Sequence, residues 1–309
     1  MPAIIQVENL TKNFKEIHAV DALSFSVHSG EVFGFLGQNG AGKSTTIRML
    51  LTLIAPTSGQ IRIFNKPLHQ HRREILKKVG AIIEKPDLYN YLTAIENLMM
   101  MARLSGLHLS KKELLQHLET VGIKERAESK VKTFSQGMKQ RLGIACALVH
   151  NPDLIILDEP TNGLDPQGIA DVRNLILHLS RNEGKTVLVS SHLLSEIEVV
   201  ADSMLIIDKG KKVAAGRVSE LLNPADTVVE IQTTGDKAAM EKLQNTSYIH
   251  QEHTNGRILI RLHQKEIPDL IKFLTEQGVG IMAVQQKHTL EDYFLSLTTA
   301  NQHVAAYQD

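Results

Sequence analysis

The run Gly37-Gln38-Asn39-Gly40-Ala41-Gly42-Lys43-Ser44-Thr45 constrains this chain more than any other feature. It fits the pattern G-x-x-x-x-G-K-[ST], which carries meaning only between a buried strand and the first turn of a helix. Both flanks are present. Glu31-Val32-Phe33-Gly34-Phe35-Leu36 reads as a buried strand, and Ser44 to Leu53 has apolar residues at helical spacing. The glycines of such a loop let successive backbone N–H groups curl around phosphate oxygens, and the helix N-terminus adds partial positive charge. Gly37, Asn39, Gly40, Ala41, Gly42, Lys43, Ser44 and Thr45 are therefore candidate nucleotide-binding residues. Lys43 would reach the β- and γ-phosphates, and the Ser44 hydroxyl would ligate Mg²⁺.

Two further segments supply parts that ATP chemistry needs. Leu154-Ile155-Ile156-Leu157-Asp158-Glu159 reads as an apolar strand ending in two carboxylates. A buried strand of a parallel sheet presents its C-terminal end to the ligand crevice, so these acids face the nucleotide. Asp158 is expected to hold the metal, and Glu159 to orient and deprotonate the attacking water. Between loop and acids lies Phe134-Ser135-Gln136-Gly137-Met138-Lys139-Gln140-Arg141, followed by the apolar face Leu142, Ile144, Ala145 and Leu148. Ser135 reads as a helix N-cap, with Gly137 allowing close approach, which makes a second anion site.

At this point the chain resembles the ATP-binding-cassette (ABC) family. The Ser135 segment is similar to the family's signature motif, usually LSGGQ, with Gln136 standing where the family has the first glycine of its pair. The resemblance implies further assignments. Asn162-Gly163-Leu164-Asp165 matches the D-loop, with Asp165 at the seam of a dimer, and His192 in Val189-Ser190-Ser191-His192 matches the switch histidine that contacts the γ-phosphate. Phe14 stands where the family places an aromatic ring against adenine, although a core phenylalanine at this spacing would be equally ordinary. Glu84 occupies the place of a glutamine whose oxygen contacts Mg²⁺. A carboxylate there would converge with Asp158 and Glu159 on the metal or, on the plain alternative, point away into solvent.

The expected fold is α/β: a P-loop NTPase core with an antiparallel β patch and an inserted helical subdomain, plus a small C-terminal α+β domain. The antiparallel patch comes from short alternating strands such as Ile4-Ile5-Gln6-Val7 and Leu23-Ser24-Phe25-Ser26-Val27. Helical periodicity runs from about 89 to 149, and strand and helix alternate from Leu154 to Ile207, as in a mostly parallel sheet covered on both faces. The ATP-binding domain spans 1–222. A turn-rich linker, Leu222-Asn223-Pro224-Ala225-Asp226, precedes an accessory domain over 226–309 in which no catalytic constellation is legible, and Thr289 to Leu297 reads as a closing helix.

Composition narrows the partners. Lys plus Arg and Asp plus Glu number 34 each, so no net charge draws the chain to nucleic acid. One cysteine, Cys146, excludes an internal disulfide and fits a reducing cytoplasm. No apolar run approaches the ~18 residues of a membrane span, and the N-terminus lacks a signal-peptide layout, so the chain is expected to be soluble by itself.

The resemblance implies the ATPase subunit of an exporter: two copies of the chain face head to tail, close over two ATP molecules and drive a separate permease, holding the subunit on the inner face of the cell membrane. The segments Val79 to Tyr89 and Leu92 to Leu98 resemble those of bacterial drug, bacteriocin-resistance and lantibiotic-immunity exporters. A groove lined from Lys85 through Asn97 would receive a permease helix, with Tyr89 and Tyr91 either anchoring it or packing in the core. A non-transport ABC ATPase acting on ribosomes or DNA is the alternative, and a non-hydrolysing switch is disfavoured because Glu159 and His192 are both present.

Overall fold

The apolar runs of the sequence become strands covered on both faces. In the computed structural model, which describes residues 2–15, 17–221, 227–243, 246, 248–253 and 257–287, the chain divides into two compact units, Met1–Val218 and Ser219–Asp309. The first begins with β1 (Ala3–Phe14) and β2 (Ile17–His28), an antiparallel pair, and continues through β3 (Val32–Leu36) and α1 (Lys43–Leu50) to β4 (Ser58–Ile63) and β5 (Lys66–Pro67). Next come α2 (Leu68–Leu76), β6 (Val79–Ile82), α3 (Ala94–Leu104), α4 (Lys111–Thr120) and α5 (Gln136–Leu148). The unit closes with β7 (Leu154–Leu157), α6 (Pro166–Arg181), β8 (Thr186–Ser191), α7 (Leu194–Val200), β9 (Ser203–Asp208) and β10 (Lys211–Arg217), and the short α8 (Val218–Leu221) begins at the boundary between the two units.

Two sheets result. An antiparallel one has the order β2-β1-β4-β5, and a six-stranded one has the order β10-β9-β3-β8-β7-β6. In the second, β9, β3, β8, β7 and β6 are parallel, and β10 joins the edge antiparallel. Every residue of β3, β7 and β8 is buried, as a parallel sheet sandwiched between helices requires. Val7, Leu10 and Phe25 of the antiparallel sheet share one core with Phe33, Phe35, Ile156 and Leu188 of the parallel one.

The helical stretch expected over 89–149 is three α-helices joined by turns. Their starts are written in the sequence. Thr93 and Glu96, and again Ser110 and Glu113, form reciprocal capping boxes, each contributing about 1 kcal/mol to its helix. Free Cys146 lies on α5; burial pushes its thiol up to about 12, so it stays protonated at neutral pH.

The second unit runs β11 (Thr227–Thr233), α9 (Asp236–Leu243), β12 (Ile249–His253), β13 (Arg257–Leu262), α10 (Ile267–Glu276) and β14 (Ile281–Lys287). Its antiparallel order, β12-β13-β11-β14, is that of a ferredoxin-like split βαβ unit. Val229, Ile231, Ile258, Ile260, Leu270 and Leu274 fill its core. The linker 222–226 and the closing helix expected over 289–297 lie outside the described residues.

Candidate functional site

The phosphate loop connects β3 to α1, and its glycines are required by geometry. Gly42 caps α1 at φ 105°, and a Cβ there would meet the Ala19 carbonyl oxygen at 2.5 Å. A Cβ at Gly37 would meet the Ile207 carbonyl oxygen at 2.7 Å. Gln38, Asn39 and Gly40 are exposed at the mouth of the loop, Ala41 is buried, and Ser44 and Thr45 are half-buried. Lys43 is only 4% exposed; its ammonium donates to the Gly37 carbonyl at 2.6 Å and to the Gln38 carbonyl at 3.3 Å.

The parallel register brings the ends of β7 and β8 to this lysine. Glu159 Oε1 lies 3.1 Å from Lys43 Nζ, and Glu159 Oε2 lies 2.7 Å from His192 Nδ1. Thus Lys43, Glu159 and His192 form one charge-assisted cluster. Glu159 sits at φ 50°, a left-handed conformation that costs about 1 kcal/mol and that its neighbours hold in place. Ser190 is the main support. Its hydroxyl donates to Asp158 Oδ1 at 2.5 Å and accepts the Glu159 backbone N–H at 2.9 Å. Glu196 serves the next loop, accepting from Thr161 and from Ser191, each at 2.7 Å.

The donor set suits a hard divalent cation. Asp158 is fully buried and its Oδ2 has no hydrogen-bond partner among the described residues, a state that costs free energy unless a cation or water meets it. Glu84 does not join it. Its carboxylate pairs with Arg48 of α1 at 2.5 Å, with 64% of the Glu84 side chain exposed. Among the described residues no three His, Cys, Asp or Glu side chains gather to hold a metal. The expected convergence of three carboxylates is therefore absent here, because Arg48 offers Glu84 a counter-charge in a solvated place.

The remaining candidates are helix caps and surface rings. Ser135 caps α5 by accepting the Met138 N–H at 3.3 Å, with Gly137 one residue into the helix, and Asp165 caps α6 by accepting the Gly168 N–H at 2.9 Å. Gly163 leaves room for the Gln136 side chain, whose Nε2 would stand 3.2 Å from a Cβ there. Phe14 is exposed, with Lys12 Nζ 4.8 Å above its ring. Tyr89 and Tyr91 are exposed, not core, and meet edge to face with centroids 5.9 Å apart. Buried Asn97 fixes their loop, its Oδ1 accepting the Tyr89 N–H at 2.8 Å and its Nδ2 donating to the carbonyls of Tyr89 and Thr93.

Comparison with known proteins agrees with this geometry. The family model for ABC transporters matches residues 20–162. The bacitracin transport ATP-binding protein of Bacillus licheniformis is 42% identical over 300 residues, covering 96% of this chain and 98% of that one. The chain belongs to the ABC transporter ATP-binding family. The linearmycin resistance ATP-binding protein of Bacillus subtilis is 35% identical, covering 96% of this chain and 98% of that protein. Among solved structures, an ATP-binding subunit of an ABC transporter superposes with TM-score 0.62 at 32% identity, covering 71% of this chain and 91% of its own. A dimeric ATP-binding cassette in a post-hydrolysis state with ADP and Pi gives TM-score 0.63 at 27% identity, covering 69% of this chain and 98% of its own. This ABC protein binds and hydrolyses ATP.

Sequence reasoning passed over Ser190, Glu196 and Arg48, and placed Asn97 in the groove without its role in holding the Tyr89 loop. Ser190 and Ser191 had a signal, two hydroxyls closing an otherwise apolar strand; Arg48 had none, since its partner Glu84 lies 36 residues away. Replacing Ser190 by Ala leaves Asp158 Oδ1 and the Glu159 N–H without their partner. Turnover should fall roughly 10- to 100-fold while ATP affinity stays near the parent's. Steady-state hydrolysis beside equilibrium nucleotide binding measures both, and parent-like turnover would exclude the supporting role.

Proposed function

We propose that this ABC ATPase powers an exporter of drugs or antimicrobial peptides through a permease encoded as a separate chain. The observation that carries the reading is the cluster of Lys43, Glu159 and His192 beside the unpartnered Asp158 Oδ2. The export cargo is inferred from the relatives named for bacitracin transport and linearmycin resistance.

Lys43 leaves the Glu159 carboxylate for the β- and γ-phosphates of ATP, and the loop N–H groups from Gly37 to Thr45 hold the same phosphates. Phe14 stacks on the adenine. Glu159, released from Lys43 and still held by His192, takes a proton from the attacking water. The water oxygen bonds to the γ-phosphorus, the bond to the β–γ bridging oxygen breaks, and ADP and phosphate leave. Ser44 and Asp158 would hold Mg²⁺, which when bound neutralises charge on the two outer phosphates. Glu84, on releasing Arg48, would add a third oxygen donor to that site. A second copy of the chain, facing head to tail, brings its Ser135 and Gly137 to the γ-phosphate, with Asp165 at the seam. The permease helix seats against Tyr89 and Tyr91, which holds the subunit on the inner face of the membrane. Among the described residues no helix is long and apolar enough to cross one.

Four outcomes test this reading. Glu159→Gln should lower turnover roughly 10²- to 10⁴-fold with ATP still bound, whereas Lys43→Ala should weaken ATP binding itself roughly 10- to 100-fold. Parent-like turnover in the first or parent-like affinity in the second removes that residue from its role. Glu84→Gln should raise the Mg²⁺ concentration for half-maximal hydrolysis, and an unchanged Mg²⁺ titration would leave Glu84 with Arg48 alone. Finally, Tyr89→Ala with Tyr91→Ala should cost about 2 kcal/mol or more of permease binding while basal hydrolysis persists. Pull-down of the permease against ATPase rate reads this directly. Charge reversal at Glu96 is a poorer probe, because that carboxylate caps α3 through the Thr93 N–H and hydroxyl.

A further inference from the structure

A second concave site lies at the far end of the parallel sheet. It is an open cavity of about 560 Å³ where Leu76 and Lys77 at the end of α2, Val79 at the start of β6, Leu104 at the end of α3 and His150 after α5 meet. Asp158 and Glu159 follow the C-terminal end of β7, parallel to β6, so this cavity sits at the opposite, N-terminal edge. Arg72, Arg73 and Lys77 line it, and no carboxylate does.

Those three cations are uncommitted. None of them takes part in an ion pair among the described residues. The acids next to them in sequence are already occupied, since Glu74 takes Lys66 and His71 and Glu84 takes Arg48, and Asp153 takes Lys78. In a chain with equal numbers of acidic and basic residues, such a one-sign cluster is local, not compositional. The plain explanation is that the cations answer the negative ends of the helix dipoles converging there. Three helix C-termini supply roughly −0.5 charge each, about −1.5 in all, against three full positive charges. A net positive field is left. Meanwhile Leu76 and the exposed Leu104 give the cavity apolar walls, and the His150 Nε2–H is committed to the Val79 carbonyl at 3.1 Å.

We propose that this cavity binds a phosphate ester carried on an apolar body. Two guanidinium forks and an ammonium suit a group with several anionic oxygens better than a single carboxylate. The volume lies within the range of small-molecule sites. A phospholipid headgroup and a soluble phosphate ester share this chemistry. The site is independent of the nucleotide reading above, since it uses none of the same residues.

The test uses the full chain with its phosphate loop saturated by ADP, titrated calorimetrically with dihexanoyl phosphatidic acid below its micelle concentration. Glycerol 3-phosphate and dihexanoyl phosphatidylcholine are titrated in parallel. Saturable binding of phosphatidic acid should weaken about tenfold or more in Arg72→Gln/Arg73→Gln/Lys77→Gln, with ADP affinity and melting temperature unchanged. Leu104→Asp should weaken the lipid but not glycerol 3-phosphate. If glycerol 3-phosphate binds as tightly as the lipid and is lost in the triple variant, the phosphate site stands and its source is soluble. Absence of saturable binding by either phosphate, binding that survives the triple variant, or preference for a phosphate-free poly-glutamate peptide would overturn the proposal.

Discussion

The register in which β3, β8 and β7 lie side by side holds the nucleotide end together. Leu36 pairs with Ser191 and Leu157 with Val189, so the phosphate loop, the Asp158–Glu159 pair and His192 all emerge at one edge of one sheet. Each strand is buried on both faces, and a slip of one residue would turn Ser190 away from Asp158. The catalytic geometry is thus a consequence of strand packing. Lys43 and Glu159, far apart in sequence, meet at 3.1 Å because the strands before them end together at one edge of the sheet.

The cluster also answers how the ammonium of a lysine that is 4% exposed finds its partners. Lys43 has the carbonyls of Gly37 and Gln38 on one side and the Glu159 carboxylate on the other. Removing any one would leave a buried cation short of partners, which costs several kcal/mol. Phosphate oxygens can replace the carboxylate without loss, since they bring more negative charge to the same ammonium. In the proposed function, that exchange would reconcile a tightly held Glu159 with one free to meet water.

Much of this was legible because it is local. The glycines of the loop, the apolar run before Asp158, the caps at Ser135 and Asp165 and the capping boxes are patterns within a few residues. The illegible parts depend on what the fold brings near. Ser190 is one hydroxyl at the end of a strand until Asp158 lies beside it. Arg48 is an ordinary helix residue until β6 places Glu84 opposite. β12 went unread because His250-Gln251-Glu252-His253 carries little apolar character, while its ladder to β13 comes from the backbone.

Glu84 and Glu159 show most sharply where a sequence argument must yield to topology. Ile82 pairs with Leu157, so each glutamate stands two residues beyond paired positions on neighbouring strands, and both have left-handed backbones, φ 61° and φ 50°. Their environments nonetheless differ. β7 is flanked on both sides, so Glu159 finds His192 and the Ser190 hydroxyl at its base on one side and Lys43 beyond, and is 16% exposed. β6 is the sheet edge, so Glu84 has a strand on one side only, takes Arg48 from α1 and stays 64% exposed. An exposed pair of this kind is worth about 1 kcal/mol or less, which is little to give up if a cation offers a better partner. The same helix thus holds one glutamate by a buried lysine at its first residue and the other by a surface arginine at Arg48, a little over one turn further on.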